Sequence, residues 1–282
     1  MIGKNKIILS VIMVLAFLVC CPIAFLFIGS IMGTSELARN LDAAIYNIPG
    51  VFPEWSLIPQ FPTLKSYVDV LFDQIQFLAS FWNTNTIAFG VIMGQLLVGV
   101  PAAWGFAIYK FPLRKILFAI YISLMLLPFQ VLMLSEYLVL HNLNLINTVW
   151  SVILPGAFST FPVFIMHNFF RRIPFSIIEA ARIDGANEIQ IFLRIGVSLG
   201  RPGIIAAMIL SFLEYWSVIE QPLVFYEDIS LWPLSLYLPS LNIDSPGMVF
   251  AASIIALIPS ILVFLIGQSN LQNGIAATAV KE

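Results

Sequence analysis

The sequence predicts an all-α integral membrane protein with six transmembrane helices. Of its 282 residues, 60% are hydrophobic and only 10% are charged, a composition far from that of soluble globular domains. The mean hydropathy of +0.97 indicates the same class. Long apolar stretches alternate with short polar ones, and an apolar stretch of about 20 residues crosses a bilayer as a helix. We therefore predict a single transmembrane domain over 1–282.

The six predicted spans are apolar stretches bounded by polar or charged residues. At about 1.5 Å per residue, they match the roughly 30 Å hydrocarbon layer. Proline is tolerated inside a span when neighbouring groups satisfy the carbonyl that it frees, as we expect at Pro128. The predicted spans are 7–31, 86–109, 116–138, 149–170, 203–225 and 248–266, followed by a tail over 268–282.

The first connecting segment, 33–85, is the longest. Its charges and prolines indicate a loop outside the membrane, in which Thr63 can cap an amphipathic segment over 64–78. In the second span, Gly90 and Gly94 have the G-x-x-x-G spacing that lets a neighbouring helix approach closely.

The distribution of basic residues predicts the orientation, because short cytoplasmic loops retain Lys and Arg. Six spans with both termini in the cytoplasm place only Arg39 and Lys65 outside, so the 33–85 loop is extracytoplasmic. The basic residues on the cytoplasmic side are Lys4, Lys6, Lys110, Arg114, Lys115, Arg171, Arg172, Arg182, Arg194, Arg201 and Lys281.

A charged segment over 171–202 separates the fourth and fifth spans. Within it, Ser176 and Asn187 each precede a Glu or Gln by three residues, the spacing of a helix capping box. Gly185 lies between them, where a helix commonly ends in a left-handed residue. The charged segment is therefore predicted to be helix, tight turn, helix. Three residues give the second helix one apolar face: Ile189, Phe192 and Leu193.

Several kinds of site are excluded by the motifs that the sequence lacks. No G-x-x-x-x-G-K-[S/T] occurs, so nucleotide hydrolysis is expected in another polypeptide. No His, Cys and carboxylate cluster has metal-ligand spacing, and Cys20 and Cys21 are adjacent in an apolar stretch. His141 and His167 are interpreted as interfacial rather than catalytic. The dispersed charges form no basic patch for nucleic acid.

Three short motifs lie in the charged segment and at its end: Glu179-Ala180-Ala181, Asp184-Gly185-Ala186 and Arg201-Pro202-Gly203. With them, the charged segment resembles the EAA loop of importer-type ABC transporter permeases, most closely the carbohydrate-uptake, maltose-permease branch. The resemblance extends over most of the chain through Tyr109-Lys110-Phe111-Pro112, Leu127-Pro128, Phe169-Phe170-Arg171-Arg172-Ile173-Pro174, Asn273-Gly274 and Ala279-Val280-Lys281.

The resemblance implies that the charged segment is a cytoplasmic coupling helix seated in a cleft of a separate ATPase. Glu179 and Gly185 would hold the geometry of the loop. The implied coupling residues are Glu179, Ala180, Ala181, Asp184, Gly185, Ala186, Asn187, Ile189 and Phe192, of which the last four, from Ala186 on, would contact the ATPase. In the tail, Gln272, Asn273, Gly274 and Lys281 would reach the ATPase dimer, the alternative being a frayed terminus.

The same resemblance implies an ATP-driven importer of a sugar or oligosaccharide in a bacterial cell membrane, working by alternating access. Its partners would be a second homologous permease, two copies of an ABC ATPase, an extracytoplasmic solute-binding protein and membrane lipid. ATP and Mg would lie on the ATPase, with no cofactor and no catalytic residue in this chain. The alternatives are a non-carbohydrate solute, or a proton-driven secondary transporter, although no internal inverted repeat is evident.

Two positions depart from the family pattern. Val197 and Ser198 stand where a Leu-Pro pair is usual, which predicts a less kinked exit from the coupling helix. Glu214-Tyr215-Trp216-Ser217 replaces the usual tryptophan-asparagine-glutamate cluster of the fifth span.

A substrate path is predicted around Glu214, which lies near the middle of the fifth span. A central carboxylate costs about 2.5 to 3.5 kcal/mol to insert, so it should face water or a partner. Hydroxyl-rich ligands need amide or carboxylate partners and a flat apolar surface. The alternative is a hydrogen-bond network between helices, and Glu136 and Glu220 are interpreted as interfacial. The predicted path consists of the helical stripe Ser211, Glu214, Ser217 and Gln221, with Gln130 and Trp216 as sugar contacts.

Overall fold

The computed structural model describes residues 2–46, 50, 52, 58–241 and 245–279, without the side chains of 2–7, 42, 44–45 and 271–279. Regular secondary structure in these described residues is helical, with no strand. The chain divides into two compact units, Met1–Ala79 with Tyr237–Pro259 and Ser80–Leu236 with Ser260–Glu282.

The first unit begins with helices α1 (Ile2–Ser30) and α2 (Thr34–Ile45). Much of the apolar surface of α1 is exposed, as suits a helix in lipid. Helix α2 lies within the segment predicted as a loop. Its Glu36 is buried, and the Glu36 carboxylate accepts hydrogen bonds of 3.0 to 3.2 Å from the amides of Gln60 and Phe61.

The amphipathic segment predicted over 64–78 is not one helix. Helix α3 (Lys65–Val68) passes into a π-helical turn, Asp69–Asp73, and helix α4 (Ile75–Ile108) begins two residues later. Thr63 Oγ1 accepts a hydrogen bond from the amide of Lys65. The second span therefore starts at Ile75 rather than at residue 86, and the loop that was predicted to end at residue 85 ends before Ile75.

In the second unit, α4 packs on helix α7, which spans Trp150–Phe170 with an interruption at Phe158 and Ser159. A Cβ atom on Gly90 would lie 2.7 Å from Ile153, and one on Gly94 would lie 2.4 Å from Ala157. The close helix approach predicted from the G-x-x-x-G spacing is confirmed.

The third predicted span, 116–138, is not one straight helix. Helices α5 (Arg114–Met125) and α6 (Phe129–Asn142) meet at an angle of 105°. Pro128 lies at the break with extended backbone (φ −67°, ψ 150°). Proline offers no amide hydrogen and disfavours a helical conformation at the residue before it, which accounts for the break.

The fifth predicted span, 203–225, is also displaced. Helix α8 (Phe175–Ile183) precedes helix α9 (Glu188–Trp216), which contains a π-helical turn at Ile191–Gly196 and then continues through Val197 and Ser198. Because α9 ends at Trp216, the stripe predicted from Ser211 to Gln221 is not on one helix. The chain continues through α10 (Glu220–Phe225), α11 (Leu234–Tyr237) and α12 (Pro246–Ala279).

Five helices of the described chain are long and apolar enough to cross a membrane, and the bent pair α5 and α6 makes six if it counts as one span. This agrees with the predicted all-α membrane fold. The five are α1, α4, α7, α9 and α12.

The polar loop after α10 is fixed by side chains from earlier in the chain. Asn147 Oδ1 accepts hydrogen bonds from the amides of Glu227 and Asp228, at 3.1 and 3.0 Å. Asn83 Nδ2 donates to the Ser230 carbonyl at 2.7 Å. Hydrogen bonds from Ser230 also lower the pKa of the exposed Asp228 carboxyl.

Candidate functional site

The charged segment forms the two short helices and turn that its sequence predicts, but the first helix is capped differently. Pro174, not Ser176, occupies the N-cap position of α8, and no side chain caps that end. The predicted Ser176 cap is therefore wrong. Pro174 carries extended backbone (φ −60°, ψ 128°) directly before the first helical residue, which leaves Ser176 inside the first turn.

The turn between α8 and α9 depends on Gly185. Its φ of +84° lies in the left-handed region, as predicted. The amide of Ala186 donates to the Ala181 carbonyl at 3.0 Å, and the amide of Gly185 donates to the Arg182 carbonyl at 3.1 Å. These two bonds form a Schellman motif, which satisfies the last carbonyls of α8.

The start of α9 is a complete capping box. Asn187 Oδ1 accepts from the Gln190 amide at 2.8 Å, and Gln190 Oε1 accepts from the Asn187 amide at 3.0 Å. The prediction from the Asn187 spacing is confirmed. The capping box satisfies backbone amides in the first turn of α9 and so fixes the residue at which this helix begins.

An ion pair joins the two sides of the turn. Arg182 Nε donates to Glu188 Oε1 at 2.7 Å, and Arg182 Nη2 donates to Oε2 at 3.2 Å. The hydrogen bond to Glu188 raises the pKa of Arg182. Tyr109, at the end of α4, donates its hydroxyl hydrogen to Glu188 Oε2 at 3.0 Å. The turn is thus tied to the end of a membrane helix.

Helix α8 is anchored by one buried side chain, Ile178, which is 0% exposed. Ile178 belongs to a core cluster with Trp104 of α4, Phe170 of α7 and Ile204 of α9. The Trp104 and Phe170 rings meet edge to face with centroids 5.4 Å apart. Helix α8 is therefore packed through Ile178 into a core that three membrane helices share.

Three glycines of α9 allow aromatic rings to lie against its backbone. An added Cβ would come within 2.7 Å of Trp104 at Gly196 and within 2.2 Å of Phe170 at Gly200. At Gly203 it would come within 2.4 Å of Phe169. These glycines were not predicted as packing sites, although their spacing of four and three residues is visible in the sequence.

The apolar face predicted for the second helix is divided between the core and solvent. Phe192 is half-buried, and its ring lies 5.9 Å from that of Trp104. Ile189 and Leu193 are 69% and 56% exposed, and Ile183 at the end of α8 is 85% exposed. The outward apolar surface of the charged segment therefore has Ile183, Ile189 and Leu193 as its most exposed side chains. Ile183 was missed because it lies at the end of α8, outside the helix face that was considered.

The remaining predicted coupling residues lie around this surface. Glu179, Ala180, Asp184 and Asn187 are exposed, whereas Ala181 and Ala186 are half-buried against the core cluster. In the tail, Gln272, Asn273 and Gly274 lie on α12 with side chains outside the described part, and Lys281 lies outside the described residues altogether.

A cavity of about 580 Å³ lies among the membrane helices of the second unit. Its floor and walls are mostly apolar, from residues such as Leu127, Phe129 and Phe161. The polar residues that line it are Ser135, Glu136, Ser159, Thr160, Glu214, Tyr215 and Gln221. We call this the membrane cavity.

Three helix breaks adjoin the membrane cavity. It is lined by residues of the α5–α6 bend, of the interruption in α7, and by Glu214 and Gln221 on either side of the gap after Trp216. Non-helical backbone at membrane depth is tolerated where protein buries it or where it lines a polar cavity. The position of the three breaks beside the cavity therefore accounts for their presence at membrane depth.

Of the predicted substrate-path residues, only Glu214 and Gln221 line the membrane cavity. Gln130 instead donates a hydrogen bond of 2.6 Å to Glu220, and Ser217 bonds back to the Leu213 carbonyl. The other two are buried in packing: Ser211, and Trp216, which stacks on Phe212 at 5.3 Å.

Glu136 was interpreted as interfacial, but it lines the membrane cavity together with Glu214. Its Oε2 atom is buried without a hydrogen-bond partner in the described protein. The sequence could have indicated this position, because Glu136 is a carboxylate among mostly apolar residues of α6. The 105° bend before α6 made its depth unpredictable.

The comparisons with known proteins agree with this fold. Residues 95–276 match the family described as binding-protein-dependent transport system inner membrane component. A "Probable ABC transporter permease protein" of Pyrococcus horikoshii is 32% identical over 235 residues, covering 81% of this chain and 85% of that protein. The arabinooligosaccharides transport system permease protein AraQ of Halalkalibacterium halodurans is 26% identical, covering 95% and 93%.

A crystal structure of a bacterial ABC transporter involved in the import of the acidic polysaccharide alginate has the same fold. One of its chains superposes with a TM-score of 0.77 at 24% identity, covering 95% of this chain and 96% of that one. The protein is a multi-pass membrane component of a transport system. It belongs to the binding-protein-dependent transport system inner membrane component family of ABC permeases, as the resemblance of its charged segment implied.

Proposed function

We propose that this chain is one of two permease subunits of an ATP-driven importer, and that a separate ATPase drives it through the charged segment. The observation that carries the proposal is the rigid connection of that segment to the bundle. Ile178 is buried in the core cluster, while Ile183 and Ile189 present an apolar surface outward. A partner that moves this surface moves α4, α7 and α9 with it.

The orientation follows from the basic residues on the same side as the charged segment. Both termini lie in the cytoplasm, and the charged segment meets an ABC ATPase there. The ATPase, present in two copies, supplies the ATP and Mg. An extracytoplasmic binding protein delivers the solute to the opposite side, and the dependence on a binding protein in the family description supports such a partner.

The transported solute is a sugar or oligosaccharide. The AraQ relative is named as a permease for arabinooligosaccharides, and the structurally similar transporter imports the polysaccharide alginate. The membrane cavity suits such a solute, since it combines carboxylate, amide and hydroxyl groups with apolar and aromatic walls. Translocation proceeds by alternating access, in which closure of the ATPases rotates the bundles and opens the cavity outward.

The test is purification of the tagged chain from native membranes with its partners, followed by reconstitution into vesicles. We expect an ATP-binding subunit to co-purify, and solute uptake to require ATP rather than a proton gradient. Uptake by the chain alone, driven by a proton gradient, would establish a secondary transporter instead.

A further inference from the structure

The membrane cavity is lined by acidic side chains and, among the described residues, by no basic ones. Among its described lining residues, Glu136 and Glu214 are the acidic groups, and no Lys, Arg or His lines it. A carboxylate at membrane depth is costly unless it faces water or a partner. Two such carboxylates in one cavity therefore indicate a functional constraint rather than packing.

The cavity also contains acceptors that the protein leaves without donors. Glu136 Oε2 and Gln221 Oε1 are both buried and have no hydrogen-bond partner in the described protein. Buried polar atoms are nearly always hydrogen-bonded, and an unmade bond costs about 1 to 3 kcal/mol. Hydroxyl groups of a solute can donate to these atoms, whereas a carboxylate or phosphate of a solute cannot.

The acidic side chains of the cavity walls also favour a neutral solute over an anionic one. Apolar side chains such as Leu127 and Phe161 surround the carboxylates, and a low dielectric strengthens electrostatic repulsion of an anion. A cleft lined by one sign of charge changes the local concentration of ions by about tenfold or more. An anionic solute is thus disfavoured by repulsion from the two carboxylates, and no basic side chain in the described lining offsets it.

We propose that the membrane cavity is a saccharide subsite of this chain that accepts sugars without carboxylate or phosphate groups and excludes anionic ones. Glu136, Glu214 and Gln221 accept hydrogen bonds from the solute hydroxyls, and Phe129 and Phe161 provide apolar surface for the rings. The inference rests on the proposed function and specifies its substrate class. It separates this chain from the transporter of acidic alginate whose fold it shares.

The charge of the cavity is tested without knowledge of the solute. Ser135 is replaced by Cys in a chain carrying Cys20→Ser and Cys21→Ser, within the assembled transporter in native membranes. The Ser135→Cys thiol is labelled with a methanethiosulfonate bearing either an ammonium or a sulfonate group. Each rate is divided by the rate with free cysteine.

We expect the ammonium reagent to be favoured by at least about tenfold. The Glu136→Gln, Glu214→Gln double variant should remove this preference, while Glu227→Gln, in an exposed loop, should keep it. Equal normalised rates for the two reagents in the unchanged cavity would overturn the proposal.

The substrate class is tested by ATP-driven uptake of arabinotriose and of its analogue oxidised to a terminal carboxylate, supplied in excess of the binding protein. We expect the neutral sugar to be taken up at least about tenfold faster, and the double variant to reduce this ratio. Equal uptake of the two sugars overturns the charge selectivity. Absence of uptake of any saccharide, with the labelling preference intact, contradicts the proposed sugar function instead.

Discussion

Arg182 and Glu188 join the two helices of the charged segment across the Gly185 turn, with hydrogen bonds of 2.7 and 3.2 Å. Their side chains are 37% and 48% exposed, so solvent screens the pair and it contributes little to stability. Its geometric effect is larger, because Glu188 also accepts from Tyr109 at the end of α4. The ion pair therefore sets the direction of the turn relative to the bundle.

Reversing one charge of this pair should uncouple the transporter without unfolding it. We expect Arg182→Glu and Glu188→Arg each to lower ATP-driven uptake while leaving the free energy of unfolding nearly unchanged, because solvent screens the pair. The double reversal should recover part of the uptake, since the two residues interact directly. Uptake rates and thermal unfolding in detergent check this. A double reversal no better than the worse single variant would argue against the pair.

Replacement of Gly185 tests the turn. The left-handed conformation at φ +84° costs an alanine about 1 to 2 kcal/mol, so Gly185→Ala should impair uptake although its Cβ would meet no atom within 4 Å. Asparagine tolerates this conformation, and Gly185→Asn should retain more uptake. Membrane insertion of both should be normal by immunoblot. If Gly185→Ala transported as well as the unchanged chain, the geometry of the turn would not matter for coupling.

Two of the three isoleucines of α8, Ile178 and Ile183, should have different effects when they are replaced. Ile178→Ala removes a fully buried side chain and should cost about 2 to 5 kcal/mol, measured as a lower midpoint of thermal unfolding. Ile183→Ala, at a site 85% exposed, should leave that midpoint unchanged but weaken binding of the ATPase. Retention of the ATPase on a column of the tagged chain measures the binding. Equal loss of stability in the two variants would contradict the assignment of their roles.

The glycines of α9 give a prediction about packing. At Gly200, a Cβ would lie 2.2 Å from the Phe170 ring, so Gly200→Ala should destabilise the protein by about 1 to 3 kcal/mol. Gly105 of α4 has no atom within 4 Å of the corresponding position, and Gly105→Ala should be neutral or slightly stabilising. Thermal unfolding of both variants in one detergent makes the comparison. A Gly200→Ala chain as stable as the Gly105→Ala chain would rule out close packing there.

The turn and its caps could be predicted from the sequence because they depend on neighbouring residues. Asn187, Gln190 and Gly185 act over three or four positions, and their geometry follows from residue type. Ser176 shows the limit of that reasoning, since the extended backbone at Pro174 starts the helix earlier than a serine cap requires.

The membrane cavity could not be predicted in the same way. Its lining depends on the bend at Pro128 and on the end of α9 at Trp216. With these two breaks, Glu136, Glu214 and Gln221 line the same cavity. A helical stripe drawn through Ser211, Glu214 and Ser217 assumed an unbroken helix. Glu214 was still identified, because a carboxylate within an apolar stretch is unusual wherever the helix ends.

Photo-crosslinking tests whether the charged segment contacts the ATPase. In the assembled transporter with Cys20→Ser and Cys21→Ser, Ile183→Cys and, separately, Ile189→Cys are labelled with a thiol-reactive benzophenone and illuminated. Ile229→Cys, 55% exposed in a different loop, is the matched control. We predict that Ile183→Cys and Ile189→Cys crosslink to a subunit containing the G-x-x-x-x-G-K-[S/T] motif, with a yield that changes on adding ATP, and that Ile229→Cys does not. If neither position crosslinked to that subunit, or if Ile229→Cys gave an equal yield, the charged segment would not be the specific contact with the ATPase.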